Sequence, residues 1–271
     1  MDAVFSVDVE RDLHTEKFDG IEKGIPKLIK ILEKYLIKAT FFVTGETIKK
    51  YPLLFKNLNK KGHEIAVHSY SHLRYDQLNM KEKEKEIKKT ISVYHKLFKK
   101  KPKGFRAPQH SIDNETLVLL EEHNFKYDSS KVPLNLMLLR HLFKKNSNKK
   151  NIITNFLSKL KPYRIKQDFF EIPRTAFFIS TGGFELKLYP RFSYKLLISI
   201  NKLLKIPLIF MMHSWDMIEI PQSRITKLCS CSNFERKLKL FLEYSTKKVN
   251  YIKMEELHEK LCKTNLNFVK I

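Results

Sequence analysis

The sequence predicts an α/β fold in which a parallel sheet curls into a barrel with helices on the outside. Short apolar runs alternate with helical patterns along the chain, and this alternation is typical of a parallel sheet covered by helices. About eight such units suit a barrel of the TIM type or a near relative, although 271 residues would also accommodate two domains. Polar residues follow several of the predicted strands, at the end where such barrels build their active sites.

The predicted strands are short runs rich in β-branched or aromatic residues and bounded by turn residues or charges. They are Val4–Val7, Ala39–Val43, Glu64–Val67, Gly104–Arg106, Phe125–Tyr127, Phe170–Ile172, Leu208–Met212 and Asn250–Ile252. Between them, apolar residues at helical spacing predict helices. These are Gly24–Leu36, residues 81–98, Thr116–Glu122 and Phe234–Tyr244.

The segment from about 133 to 166 breaks this rhythm. Two groups of apolar residues, 134–143 and 152–160, lie among basic residues and are separated by a polar turn. We predict two basic amphipathic helices here, as an insertion in one domain that comprises residues 1–271. These helices could cap the barrel, or they could lie on an anionic membrane surface with their apolar sides in the headgroup region.

The chain is strongly basic, with 52 Lys+Arg against 29 Asp+Glu and a formal net charge of +23. Such a charge favours anionic partners, such as acidic glycans, a phospholipid surface or nucleic acid, and it says nothing about the fold. The excess of lysine could equally do no more than solvate the surface. We expect no specific nucleic-acid partner.

The cysteines and the apolar segments predict a cytoplasmic protein that could lie peripherally at the inner membrane face. Cys229, Cys231 and Cys262 are odd in number, and the first two are too close for an ordinary bridge, so a disulfide framework is not expected. A zinc site at Cys229 and Cys231 would lack a second pair, which favours ordinary thiols. No secretory signal is recognisable at the start, and no apolar run reaches the ~18 residues of a membrane span.

His68 and His72 are the first candidates for chemistry. They follow the apolar run Ile65–Val67, and their spacing would put two imidazoles one helical turn apart, within reach of one metal ion. Asp8 and Glu10 continue the first predicted strand, where alternate side chains share a face. Two histidines and one carboxylate form a common metal triad, and the other carboxylate would then be free to act as a base. Without a metal, the same residues would be ordinary histidines in a solvated loop.

Three further polar residues lie at predicted strand ends. Arg106 lies at the end of the fourth predicted strand and could form a simple surface salt bridge. His213 follows the seventh predicted strand and could be a core histidine at a strand end. Asp128 could orient Arg106 or a histidine, or cap the turn that follows it.

Ordered motifs across most of the chain resemble those of the polysaccharide deacetylase family, the NodB-homology group of carbohydrate esterases. The motifs are Lys38–Gly45, Gly62–His72, Gly104–Gln109, Tyr127–Ser130, Glu171–Pro173 with Gly182–Gly183, and Met211–Trp215. The resemblance implies a distorted (β/α) barrel of about seven strands, rather than a regular eight. It also implies metal-dependent hydrolysis of an N-acetyl group on an amino sugar.

The resemblance assigns roles residue by residue. Asp8 matches the catalytic base, Arg106 the residue that holds this base, and His213 the general acid. His68 and His72 match metal ligands, and Zn²⁺ is the expected ion, which would polarise the amide carbonyl.

The first motif departs from the usual pair of aspartates, because Val9 stands where the second aspartate would be. The chain resembles the Asp-Val-Glu variant of the family, so Glu10 is expected to be the carboxylate ligand, with Asp12 as the alternative. The third motif also lacks an aromatic residue after its proline, since Gln109 stands there. A backbone N–H near Gln109 is expected to stabilise the oxyanion. Trp215 and Tyr70 could stack on a sugar ring or could only pack.

The expected function is therefore the removal of an N-acetyl group from an amino sugar on a cytoplasmic or lipid-linked glycan precursor. One alternative is an amidase that acts on a non-sugar C–N bond, because some relatives of the Asp-Val-Glu type hydrolyse such bonds and some lack a metal. Another is an inactive barrel that binds anionic lipid or nucleic acid. The intact set Asp8, His68, His72 and His213 argues against the inactive barrel.

Overall fold

Strand β1 lies between two other long strands of a curled sheet and carries residues to the candidate site. The computed structural model describes residues 1–12, 15–143, 148–219, 233–264, 266 and 268–269. Within that part, the strands are β1 Asp2–Val9, β2 Thr40–Val43, β3 Glu64–Val67, β4 Gly104–Phe105, β5 Tyr127–Asp128, β6 Tyr163–Lys166, β7 Phe169–Glu171, β8 Ala176–Phe177, β9 Ile179–Ser180, β10 Leu208–His213 and β11 Asn250–Tyr251.

The order of the main sheet is β10-β1-β2-β3-β4-β5-β7-β6, and β11 pairs with the start of β1. The run from β10 to β7 is parallel throughout, and only β6 joins it antiparallel. This run of parallel strands confirms the predicted distorted barrel of about seven strands. The described strands form an open curled sheet rather than a closed regular barrel, and β8 and β9 make a separate hairpin.

Helices follow most of the parallel strands. They are α1 Ile25–Lys34, α2 Gly45–Lys50, α3 Pro52–Lys60, α4 Met80–Phe98, α5 Asn114–Glu122, α6 Leu136–Leu139, α7 Lys149–Phe156, α8 Gly183–Leu188, α9 Arg191–Leu204, α10 Phe234–Ser245 and α11 Met254–Cys262. A π-helical turn at Gly20–Gly24 leads into α1, and a 3₁₀ turn at Ser214–Met217 follows β10. None of the described helices is both long enough and apolar enough to cross a bilayer.

Alternation along β1 decides which of its side chains reach the site. Phe5 and Val7 belong to the large core between sheet and helices, whereas Val4 belongs to a smaller cluster inside the curl of the sheet. Successive side chains of a strand point to opposite faces, so Ser6 and Asp8 share the inner face with Val4. The other members of the inner cluster come from other strands and from α11, and they include Phe42, Ala66, Tyr127, Phe170, Ile209, Met254 and Leu257. Asp8 is therefore directed into the barrel, at its carboxyl end.

The insertion differs from its prediction. Its first helix, α6, is a single turn followed by a 3₁₀ turn at Arg140–Phe143, and its second, α7, has about two turns. Residues 163–166 form strand β6, not helix, because Tyr163 and Ile165 alternate inward against β7. Backbone hydrogen bonds join Leu134 to Phe156, at 2.8 Å, and to Phe178, at 3.1 Å, so this segment is fixed to the rim of the barrel. Lys144 and Lys145 lie outside the described residues.

The cysteine predictions are only partly covered by the structure. Cys262 carries a free, exposed thiol. Cys229 and Cys231 lie outside the described residues, so the choice between thiols and a zinc site there stays a prediction.

Candidate active site

The candidate residues meet because their strands are neighbours. Asp8 on β1 and His213 on β10 are register partners in the parallel pair. Glu10 directly follows β1, His68 follows β3, and Arg106 follows β4. Carboxyl ends of parallel strands lie at the same edge of a sheet, so these residues surround the mouth of the barrel.

Asp8 and Arg106 form a buried ion pair. Arg106 Nη1 donates to Asp8 Oδ1 over 2.6 Å and to Ser6 Oγ over 3.0 Å. The guanidinium also lies over the ring of Phe42, 3.9 Å from the ring centroid. Burial alone would raise the pKa of Asp8, but the charge and hydrogen bond of Arg106, helped by His68, hold that pKa well below its ordinary value. Asp8 is therefore ionised at working pH.

The loop after β5 holds the other side of Arg106. Arg106 Nε donates to the carbonyl of Ser129 over 2.9 Å, and Nη2 donates to the Ser129 hydroxyl over 3.1 Å. The next residue, Ser130, donates to Asp128 Oδ1 over 2.6 Å and accepts from the N–H of Ala107 over 2.7 Å. Asp128 thus orders the turn that carries Ser129, and this arrangement corresponds to the turn-capping alternative for Asp128.

Glu10, His68 and His72 form the one group of three or more potential ligands found among the described residues, and their ligand atoms lie within 4.8 Å of one another. His68 Nε2 is 3.9 Å from Glu10 Oε2, and His72 Nε2 contacts the same oxygen. Glu10 Oε2 is buried and has no hydrogen-bond partner. This buried oxygen faces two imidazole nitrogens, and a cation bound between them would neutralise its charge.

The donor set fits a divalent metal ion. His68 Nδ1 donates to the carbonyl of Arg106 over 2.7 Å, so Nε2 carries the lone pair that faces Glu10. Burial lowers the pKa of His68 to about 4, which keeps its imidazole neutral, as a ligand must be. Asp12, the alternative carboxylate, accepts from the N–H of Gly20 over 2.9 Å and does not belong to the group. The geometry therefore favours Glu10 as the carboxylate ligand.

The two histidines converge through a loop and not through the helical turn expected from their spacing. Residues 68–72 contain no helix, and Ser69 and His72 have positive φ angles of 64° and 61°. Glu86 on α4 fixes this loop, because it accepts from the hydroxyl of Ser69 over 3.3 Å and from the N–H of Ser71 over 3.0 Å. Left-handed non-glycine residues are costly and persist where surrounding contacts impose them, as they do here.

His213 belongs to a second group of connected polar residues, together with Asp216 and Lys187. Its N–H donates to Asp216 Oδ2 over 2.8 Å, and its Nδ1 lies 3.8 Å from the same oxygen. Lys187 Nζ on α8 is 2.6 Å from Asp216 Oδ1. Burial would lower the pKa of His213, but the hydrogen bond and charge of Asp216 outweigh it and raise that pKa above its ordinary value. The Nε2 of His213 lies 3.9 Å from Glu10 Oε1, so this imidazole faces the group of potential ligands.

The three residues expected to bind substrate lie in different settings. Trp215 stacks on the His213 ring, with centroids 4.0 Å apart and planes at 11°. Tyr70 is almost buried, packed against Gly45 and under Lys89 Nζ, which lies 4.0 Å from its ring centroid. Gln109 is exposed, has a positive φ of 51° and accepts from Arg74 over 3.4 Å. Their contacts with a sugar stay predictions.

Sequence reasoning missed Ser129, Glu86, Asp216 and Lys187. Asp216 had a local signal, because it stands three residues after His213 and one after Trp215, where a carboxylate can cap a turn. Lys187 had none, since its pairing with Asp216 arises only when α8 packs against the end of β10.

Comparison with known proteins identifies one protein family and several relatives that match part of this sequence. The sequence profile of the polysaccharide deacetylase family matches residues 18–127. The chain is 38% identical over 109 residues to the peptidoglycan deacetylase-like protein FGM2 of Gibberella zeae, covering 40% of this chain and 32% of that one. It is 36% identical over 119 residues to the peptidoglycan deacetylase of Helicobacter pylori, covering 44% and 40%. The chain thus spans about a third to two fifths of the length of these curated relatives.

Solved structures share the fold across the whole chain. A polysaccharide deacetylase homologue from Mycobacterium smegmatis superposes with a TM-score of 0.70 at 17% identity, covering 100% of this chain and 93% of that one. The Puue allantoinase superposes with a TM-score of 0.68 at 14% identity, covering 97% and 91%. At these identities the likeness establishes the fold alone, and it agrees with the distorted barrel.

Proposed function

The chain belongs to the polysaccharide deacetylase family, and from that premise we propose that it is a carbohydrate N-deacetylase. The reaction would hydrolyse the N-acetyl group of an amino sugar and release acetate and a free amine. The observation that carries the proposal is the pairing of Asp8 with His213 on neighbouring strands, close to the group formed by Glu10, His68 and His72. A base and an acid beside one ligand group are the set that amide hydrolysis needs.

Glu10, His68 and His72 are the residues that would hold a divalent ion, with Zn²⁺ as the proposed metal. When bound, such an ion supplies Lewis-acid polarisation of the acetamide carbonyl. The proposal of zinc rests on the ligand types, since two imidazoles and one carboxylate are typical of catalytic zinc sites with an open position.

Asp8 is the proposed base, which would take the proton from the attacking water. Arg106 keeps its carboxylate ionised and occupies Oδ1, which leaves Oδ2 available to accept. The ion pair also fixes the direction of that carboxylate, because Arg106 is itself bound by Ser6 and by the loop of Ser129.

His213 is the proposed acid, which would protonate the leaving amine. A poor leaving group needs a proton as the C–N bond breaks, and a histidine whose pKa is raised by Asp216 keeps that proton to a higher pH than an ordinary imidazole does. The stacked Trp215 holds the plane of the imidazole. In this proposal β1 carries the base, Asp8, and β10 carries the acid, His213.

The substrate class is proposed from the relatives, whose names refer to peptidoglycan. The finer substrate, a cytoplasmic or lipid-linked glycan precursor, and the cytoplasmic location both stay predictions. Contact between the 133–166 segment and an anionic membrane also stays a prediction; Phe143 and Leu157 of that segment are exposed, as are Lys149 and Lys150. An amidase for a non-sugar C–N bond remains the second candidate, favoured by the absence of an aromatic residue after Pro108.

The test is hydrolysis by the purified chain after loading with Zn²⁺, measured as acetate release from the N-acetylated substrates and as ring opening of allantoin. Chitin oligomers, peptidoglycan fragments and lipid-linked N-acetylated sugars are the carbohydrate substrates, and allantoin and simple N-acetylated amines are the non-sugar ones. We expect acetate from at least one carbohydrate substrate, and release that is slower by about a hundredfold or more from Asp8→Asn. Hydrolysis confined to a non-sugar amide would favour the amidase. No hydrolysis of any substrate at full metal content would contradict the proposal that the chain is an enzyme.

A further inference from the structure

Helix α9 exposes an apolar stripe to solvent. Its buried side packs on the protein through Tyr194, Leu197, Ile198 and Asn201. Surface helices normally turn a polar face outward. Here Phe192, Leu196 and Leu203 point outward and are 68%, 56% and 81% exposed. At 3.6 residues per turn these three side chains fall within about 40° of one another, directly opposite the buried side.

A row of cations runs beside this stripe. Arg191, Lys195 and Lys202 are all exposed, and helical spacing places them in a second row adjacent to the first. Lys205 adds a further exposed charge where the helix ends, and residues 186–205 contain no Asp or Glu. We call the two rows together the α9 face, defined by Phe192, Leu196, Leu203, Arg191, Lys195 and Lys202.

We propose that the α9 face docks on the surface of an anionic phospholipid bilayer. An apolar row flanked by lysine and arginine without acidic residues is the pattern of a helix that lies in the headgroup region, where the apolar side chains enter and the cations meet lipid phosphates. The proposal does not depend on catalysis, and it concerns a different surface from the 133–166 segment.

Charge is the reason to choose lipid over a second copy of this chain. Each copy carries a formal net charge of +23, and a symmetric contact through α9 would bring two cationic rows together without an acidic row on the helix to pair with them. An anionic bilayer offers apolar lipid to the first row and phosphate groups to the second.

The experiment is co-sedimentation of the full chain with large unilamellar vesicles. Vesicles of phosphatidylglycerol with phosphatidylethanolamine are compared with pure phosphatidylcholine, at low and at 0.5 M salt. We expect binding to the anionic vesicles that weakens at least tenfold in high salt, because screening reduces the attraction of exposed charges. The triple variant Phe192→Gln, Leu196→Gln, Leu203→Gln should bind at least tenfold more weakly, and so should Lys195→Glu with Lys202→Glu.

Matched controls test whether the α9 face itself makes the contact with lipid. Leu36→Gln and Leu53→Gln change equally exposed leucines elsewhere and should leave vesicle binding unchanged. All three α9 side chains are exposed, so the triple variant should keep its circular dichroism and thermal midpoint, and sedimentation velocity reports its oligomeric state.

Four outcomes would overturn the proposal. The first is no binding to anionic vesicles, and the second is unchanged binding in the triple variant. The third is a dimer that the triple variant abolishes without any effect on vesicles. The fourth is binding lost only on changing Leu157, Lys149 and Lys150, which would assign the contact to the 133–166 segment instead.

Discussion

Lys187 Nζ lies 2.6 Å from Asp216 Oδ1, in a pair that is almost completely buried. The other oxygen of Asp216 accepts from the backbone N–H of His213, so a lysine on α8 is connected through one carboxylate to the proposed general acid. Burial would raise the pKa of Asp216, but the charge of Lys187 outweighs it and keeps that carboxyl ionised. The charge on Asp216 in turn favours the protonated imidazole.

Neutralising Asp216 is expected to shift the pH profile of activity. His213 must be protonated to donate, so its pKa sets the alkaline limb of kcat/KM. Because Asp216 raises that pKa, Asp216→Asn should move the alkaline limb to lower pH, with a loss of activity that grows as pH rises. Glu10 and Asp8 also face His213 and keep part of the effect in the variant.

A double-variant cycle tests whether Lys187 acts through the charge of Asp216 or only packs in the core. Lys187→Met removes the cation beside a buried carboxylate and should lower the unfolding free energy by about 3–5 kcal/mol. The double variant Lys187→Met with Asp216→Asn removes both charges and should recover most of that stability while keeping the shifted alkaline limb. A double variant that recovers the native limb along with the stability would contradict the assignment of Asp216.

Asp8→Asn is expected to keep its metal and to lose turnover by about a hundredfold or more, because the amide preserves the shape of the side chain but cannot accept a proton. The variant also leaves the charge of Arg106 without its partner, so its thermal midpoint should fall. Activity is therefore measured well below that midpoint, with metal content per chain on the same sample. Ser6→Ala, which removes another partner of Arg106 and keeps the carboxylate, should lose far less. A near-normal rate in Asp8→Asn would show that another group is the base.

Metal content is expected to depend on Glu10, His68 and His72. Replacing any one by alanine should reduce bound Zn²⁺ and activity together, since one of three protein ligands is lost. Asp12→Ala is the matched control, because Asp12 is a buried carboxylate close in sequence whose oxygen is bound by the N–H of Gly20. Elemental analysis after dialysis measures the effect. If Glu10→Ala kept its metal while Asp12→Ala lost it, the ligand assignment would move to Asp12.

The sequence predicted well those parts of the fold in which a local pattern has one structural meaning. Strand β1 is an apolar run that ends in two carboxylates, and both the strand and its end were recognised. Helix α9 was missed, and its exposed Phe192, Leu196 and Leu203 show why: apolar residues on both sides of the helix remove the one-sided period that predicts a helix. Strand β6 was predicted to be helical, because four residues that alternate between apolar and basic offer too little length to distinguish the two periods.

In the candidate site, too, residues in local motifs could be recognised from the sequence, and residues that meet only through packing could not. Residues within ordered motifs, such as His68 and Arg106, could be selected as candidates from the sequence, and the structure brings them to the same end of the sheet. The supports of the site could not, because Lys187 and Asp216 are 29 residues apart and meet only through packing. The helical geometry expected of His68 and His72 was wrong, since a loop fixed by Glu86 brings them together.

A buried carboxyl outside the candidate site is expected to make the stability of the protein depend on pH. Glu64, at the start of β3, accepts from the hydroxyl of Tyr127 over 2.6 Å, from Thr40 over 2.8 Å and from the N–H of Glu255 over 2.9 Å. Burial and the charge of Glu255 raise the pKa of Glu64 to about 7, and these hydrogen bonds offset only part of the increase.

The sign of this pH dependence follows from the linkage between proton binding and folding. The folded protein holds the proton of Glu64 more tightly than the unfolded chain, whose Glu pKa is about 4.3. The stabilising contribution of the protonated carboxyl is therefore complete below that value and is lost as pH rises through 7. From pH 4 to pH 8 the loss should be on the order of 3 kcal/mol.

Urea unfolding of the wild type and of Glu64→Gln at pH 5, 6, 7 and 8 measures this contribution. The amide stays neutral at every pH, so the unfolding free energy of the variant should gain on that of the wild type as pH rises, by about 2–3 kcal/mol over the range. Glu33→Gln, a change at an exposed surface pair with Lys61, should follow the wild type. A constant difference between Glu64→Gln and the wild type would mean that Glu64 is ionised in the folded protein throughout, held by its three donors against the cost of burial.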